Sequence, residues 1–144
     1  MSRRRDERGQ ALTETALTFP LVLLLSVSVF EFGLAFQHWQ VLTNAAREGA
    51  RLAVLPGVTD EAVSSRVHTY LEAGQLSGAG EATVAVVSNT SIAIGVGATA
   101  SASTVTANYP YQFVVLQPIV QLVAGESPVG APITMTASAT MRNE

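Results

Sequence analysis

The strongest constraint on this chain is a run that water does not tolerate. From Ala16 to Phe30, "ALTFPLVLLLSVSVF", no residue is charged, and Leu21 to Leu25 is its most apolar part. Carried on to Phe36, the run reaches about 20 residues, enough to cross a hydrocarbon core as a helix. Glu31 falls inside it near the outer end, and Phe32, Phe36 and Trp39 follow. Aromatic rings of this kind settle at a lipid–water boundary. Pro20 lacks an N–H and predicts a kink. A cleaved secretory signal would end in a small-x-small cut site. This run ends in "FEFGLAFQHWQ", bulky and aromatic, so the helix is expected to be retained.

The charges are distributed to match. Four of the eight basic residues, Arg3, Arg4, Arg5 and Arg8, precede Gly9, and the chain has no lysine. From Gln10 onward four arginines face nine acids, a net of −5. An acidic body is a poor partner for nucleic acid, which needs clustered cations. The arginine cluster reads instead as a topology signal that holds the N-terminus on the cytoplasmic side. A length of 144 residues allows one ordinary domain plus an appendage. With no cysteine, disulfides and thiolate metal sites are excluded.

Between the leader and the run stands "RRRDERG" followed by "QALTE". A peptidase cutting after Gly9 would remove the leading arginines and leave a new α-amine on Gln10. Glu14 would then lie one helical turn further in, at the start of the apolar segment. A carboxylate there is costly unless paired. The α-amine of a neighbouring subunit is the available cation, and a pair made between chains would drive and register assembly. Glycine suits the cut because it leaves an extended backbone open to a protease. Taken alone, the spacing is also satisfied by a carboxylate that merely favours a helix N-terminus.

The block "RGQALTETALTFPLVLLLSVSVFEFGLAFQHWQVLTNAAREGARLAV" resembles the N-terminal signature of TadE-like pseudopilins of the tight-adherence (Flp) pilus systems. The closing "ITMTASATMRNE" resembles that family's last strand. The resemblance implies a minor pilin-like subunit, cut by a prepilin peptidase between Gly9 and Gln10, with Glu14 as the assembly carboxylate. Thr15 stands where many members carry an aromatic residue. The partners implied are other pilin subunits, the pilus assembly platform, the peptidase and the membrane.

Beyond the apolar run the helix is expected to continue to Pro56-Gly57, a stop signal. Ala46, Gly49, Ala50 and Ala53 recur at i, i+3, i+4, i+7, a narrow strip that lets another backbone approach closely. Glu48 and Arg51 can pair at i, i+3. "VTDEAVSSRVHTYLEAG" reads as a second helix with Thr59 as N-cap, acids in its first turn and Gly74 at its end. Ala62, Val63, Val67, Tyr70 and Leu71 mark its apolar positions. The period then changes to two. A strand is expected over Thr83–Val87, a polar turn around Ser88–Ser91 and a second strand from Ile92. Val105, Ala107, Tyr109, Tyr111 and Phe113 alternate onto one face, as do Ile133, Met135, Ala137, Ala139 and Met141. Pro110 places its strand on an edge or at a bulge. A short helix can occupy Ile119–Val123 in the last connection.

The fold class expected is therefore α+β: a long N-terminal helix, a second short helix, and a small antiparallel sheet packed on the outer half of the long helix. Its divisions are a leader over 1–9, an assembly helix over 10–36 and an extracytoplasmic domain over 37–144. No catalytic constellation, metal-ligand spacing or cofactor motif emerges. His38 beside Trp39 reads as an interfacial residue and His68 as an exposed helix position. Glu31 is expected near the outer interface, as a buried relay group, or paired with another subunit. Two other function classes fit less of the sequence. One is an unprocessed single-pass envelope protein displaying a binding or adhesion domain. The other is a tethered enzyme or transporter subunit, which needs a polar constellation the outer part lacks.

Overall fold

The computed structural model describes residues 3–124 and 130–143, with side chains described for 9–121 and 130–143. The side chains of the arginine-rich leader thus lie outside the described residues, as do residues 125–129 of the last connection. The elements run α1 (Arg3–Ala53), α2 (Asp60–Ala73), a 3-10 turn (Ala79–Glu81), β1 (Thr83–Gly95), β2 (Ala98–Tyr111), α3 (Leu116–Ala124) and β3 (Ile133–Arg142). This is the expected α+β order. It divides into two compact units, one joining 1–34 to 113–130, the other joining 35–112 to 131–144.

The second unit is built on the C-terminal part of α1. Leu42, Ala45, Ala46, Gly49 and Ala50 form its buried stripe, at i, i+3, i+4, i+7 and i+8. The small residues do what a narrow strip allows, but within one chain. A Cβ on Gly49 would stand 2.6 Å from Cγ2 of Val67 in α2 and 3.1 Å from Cγ1 of Val105 in β2. Ala46 and Ala50 are fully buried and Ala53 is half-buried. What presses on this strip at Gly49 is therefore a set of side chains of the same chain, those of Val63, Val67 and Val105, where the sequence left the neighbour open. Gly74, which ends α2, makes the same kind of contact against Val41.

Thr59 caps α2 by accepting a hydrogen bond from the Ala62 amide at 3.3 Å, and Asp60 and Glu61 occupy the first turn. Only Val63, Val67 and Leu71 of the expected apolar set are buried, an i, i+4, i+8 line. Ala62 and Tyr70 fall to either side of that line and are exposed. Each buried valine or leucine contributes on the order of 1.5–3 kcal/mol. Glu48 pairs across to α2, reaching Arg66 at 2.8 Å, while Arg51 on its own helix stays at 3.9 Å. The local pair expected is thus present, and α2 adds a closer one. Arg66, chiefly by its hydrogen bond, holds the Glu48 carboxyl below its ordinary range.

The sheet has the order β1-β2-β3, antiparallel throughout. Ser88–Ser91 does not form the expected turn: β1 runs through it as one strand. The register shifts between Val87 and Thr90, and Asn89 takes a left-handed φ of 58°. The polar stretch is therefore a bulge, which asparagine tolerates. The chain reverses at Val96-Gly97 instead, where Gly97 has φ 76°. Pro110 lies in the central strand, yet β1's pairing reaches only to Asn108. Beyond that point β2 has a partner on one side alone, which is where a strand proline is tolerated. Ser103, Val105, Ala107, Tyr109 and Tyr111 are buried on one face of β2. Phe113 falls beyond the strand's end, outside that alternation.

The Gly49 contact generates a stability prediction. In the detergent-solubilised full chain, Gly49→Val should overpack the α1–α2–β2 junction by about 1–3 kcal/mol. Thermal unfolding of the sheet, followed by circular dichroism, should then fall by several degrees. An unchanged midpoint would mean that the junction is not packed as described.

Candidate functional site

The first unit presents an unusual helix. From Gly9 to Ser26 every side chain of α1 is exposed, including Leu12, Leu17, Phe19, Leu21, Val22 and Leu25. A helix apolar on all sides and buried on none is compatible with a single membrane pass. Its length and composition suffice to cross a membrane. The hydroxyls within it conform. Thr13, Thr15, Thr18, Ser26 and Ser28 each donate to the carbonyl four residues earlier, at 2.8–2.9 Å. Each satisfies itself on its own helix and asks nothing of its surroundings. α1 runs without a break past Pro20.

Two carboxylates interrupt this surface, and they differ. Glu31 is 2% exposed. Its Oε1 accepts from the Val115 amide at 2.6 Å and its Oε2 from the Val114 amide at 3.1 Å. Those amides open α3, whose first internal bond runs from the Ile119 amide to the Val115 carbonyl at 3.2 Å. Glu31 thus caps another helix from 83 residues away, with negative charge at that helix's positive end. Pro118 in the first turn of α3 removes an amide that has no intrahelical partner anyway. Of the roles the sequence left open for Glu31, which were a place at the outer interface, a buried relay group or a pair with another subunit, the last is not required, since its own chain supplies partners. No local pattern announces such a pair: only the recurrence of helix signals after Pro118 hints that α3 has an N-terminus to cap.

Glu14 has no such partner among the described residues and is exposed. Gln10 lies one turn before it on the same helix, about 6 Å back along the axis. Gly9 and Gln10 are helical, not extended as the cut-site reading expects, and Gly9 O accepts from Thr13 Oγ1. A peptidase acting there must first unwind that turn. Glycine helps, since it weakens a helix by about 1 kcal/mol relative to alanine.

In the second unit, Trp39 is half-exposed, with its ring centroid 6.1 Å from that of Phe36. His38 turns the other way, edge-on to Tyr109 and Tyr111 at 5.8 and 5.2 Å. Its Nδ1 is buried with no hydrogen-bond partner among the described residues. It is a packed residue rather than an interfacial one, and burial pushes its imidazole below the ordinary range. His68 is half-buried rather than exposed, its Nδ1 3.2 Å from the Ala79 carbonyl. Tyr109 reaches the Ser77 carbonyl with its hydroxyl, pinning the loop after α2. The cleft lined by Val41, Asn44, Tyr70, Ala73 and Gly74 offers no acid–base pair. Among the described residues no three His, Asp or Glu side chains gather as metal ligands.

Comparison with known families places a name on the N-terminal block: residues 9–51 match the model of a family described as TadE-like protein. The match covers the apolar helix and the stretch that packs on α2 and the sheet. Curated proteins and solved structures yield no match.

The Glu31 cap predicts a local effect. Glu31→Ala leaves two amides unpaired, and hydrogen bonds to charged groups are worth about 1.5–3 kcal/mol. Amide exchange at Val114 and Val115 should therefore quicken by at least about tenfold, while Val105 in the sheet keeps its rate; unchanged exchange at both valines would contradict the cap. His38 predicts a pH dependence. Burial holds its folded pKa below the ordinary histidine value of about 6.5, so the stability it contributes is complete above that pH and declines as pH falls toward the folded value. His38→Phe should flatten the unfolding midpoint of the second unit across that window, and a slope identical to the parent's would exclude His38 as its source.

Proposed function

We propose that this chain, TadE-like over residues 9–51, is a pilin-like structural subunit of a tight-adherence type pilus. Residues 10–36 would hold it in the cytoplasmic membrane, with the N-terminus inside and the sheet-bearing part outside. A prepilin peptidase would cut between Gly9 and Gln10. The new α-amine of one subunit would then pair with Glu14 of the next, and helix packing would draw the subunit into a pilus or its base. Its work would be to initiate, cap or prime assembly, with no catalytic residue of its own.

The observation that carries this reading is the contrast between the two carboxylates. On a surface that is apolar and whose hydroxyls are satisfied internally, Glu14 is the one exposed carboxylate near the inner end among the described side chains. A carboxylate at such a depth is costly unless a cation meets it. Its own chain's leader lies outside the proposed mature protein, so the cation comes from a neighbour. In the alternative, an unprocessed anchor, Glu14 would have no task beyond the helix N-terminus.

Two variants separate these readings. Glu14→Ala should insert into membranes normally yet lose co-purification with pilus components by at least about tenfold, and retained co-purification would remove the pairing from the account. Gly9→Val should keep its arginine leader, as read by mass spectrometry of the intact N-terminus. A mature chain starting at Gln10 in that variant would refute the cut site.

A further inference from the structure

We propose that the segment from Phe113 through α3 is a second membrane-seated element, laid into the outer face of the same bilayer that α1 crosses. The inference rests on the membrane reading of α1 and adds to it a contact outside the TadE-like block. Its starting point is the pair of hydrogen bonds from Val114 and Val115 to Glu31, which fix the segment's entry at the level of residue 31. If the apolar span ends at Phe36, residue 31 lies five residues inside it, about 7.5 Å along the axis. The backbone at 114–115 cannot then be outside the bilayer while Glu31 is within it. Interfacial helices seat their apolar faces at about this depth, 5–10 Å.

The side chains fit that seat. Around the bond, Phe30 is 77% exposed, Phe32 65% and Val114 68%, so the apolar surface of α1 continues directly onto the segment. No Asp, Glu, Lys or Arg occurs between Glu81 and Glu126, so no charge resists lipid there. In α3, Gln117 and Gln121 stand one turn apart as a polar line, with Leu116, Ile119 and Val120 beside it. A short apolar helix with one polar line can turn that line to water and the rest to lipid. The bond also explains the burial of Glu31. A lone carboxylate at this depth would be costly, whereas one closed by two amides arriving with the segment brings its own partners. The occupant of this surface is lipid.

The chain has no cysteine, so single sites can be labelled cleanly. Val29→Cys, Val114→Cys, Val115→Cys and Ser138→Cys would each carry a nitroxide in the full chain, reconstituted in phosphatidylcholine–phosphatidylglycerol vesicles. Collision with oxygen and with a water-soluble nickel chelate then reports depth. The expected result is oxygen-dominated relaxation at 29, 114 and 115 and nickel-dominated relaxation at 138, with 114 and 115 about 5–10 Å below the phosphates. Lipid at 29 with water at 114 and 115 overturns the inference and leaves the anchor standing. Water at 29 removes the anchor and the inference together. Labels at 114 and 115 shielded from both reagents mean a protein cover, and lipid at 138 means that the sheet as a whole lies down; either outcome overturns the assignment.

Discussion

A carboxylate inside an apolar span is costly unless it finds a partner, and the two carboxylates of this span stand differently toward that demand. Glu31 is closed by the two backbone amides just ahead of α3, 83 and 84 residues later. Glu14 is left open on an exposed helix. The difference sorts the molecule. What Glu31 needs is supplied within the fold, so it organises the chain; Glu14 finds no partner among the described residues, and the proposed assembly role rests on that. The five hydroxyls bonded back to their own helix sharpen the contrast, because they need no partner from their surroundings.

The two stretches of α1 follow different physics from one composition rule. The N-terminal stretch has large apolar residues on every side, and in the absence of any covering element they remain exposed. The C-terminal stretch narrows its apolar stripe and shrinks the residues on it, so α2 and β2 can press against Gly49 and its alanine neighbours. The reversal from large to small residues is what turns a lipid-facing helix into the core helix of a small domain. A three-stranded sheet buries too little to stand alone, and the small-residue strip gives it a helix close enough to share a core.

Much of this was legible in the sequence. Length and unbroken apolarity announced α1. Thr59, the acids after it and Gly74 marked the ends of α2, and the period-two alternation in β2 and β3 named the buried face. What escaped was long-range. Ser88–Ser91 has turn composition, but a bulge with Asn89 at positive φ absorbs it, and the true reversal rests on the single glycine at 97. Pro110 reads as an edge residue, yet the strand is central and only its end is unpartnered. Glu48 keeps the partner expected three residues on, but the closer Arg66, which arrives with α2, was not visible. Glu31's partners are backbone amides, which carry no sequence signature. Each miss involves a partner brought by tertiary packing, which local composition does not encode. At the candidate site, Gly9, Gln10 and Glu14 were visible as spacing, while their helical state before cutting was not.

The proposed function turns on the α-amine of residue 10 meeting the Glu14 carboxylate of another chain. Zero-length carbodiimide coupling of assembled material, followed by peptide mass spectrometry with mixed isotope-labelled subunits, reads that contact. The expected product is an amide bond joining Gln10 of one isotopic population to Glu14 of the other. Coupling confined to single chains, or an N-terminus still bearing its arginines in assembled material, would contradict it.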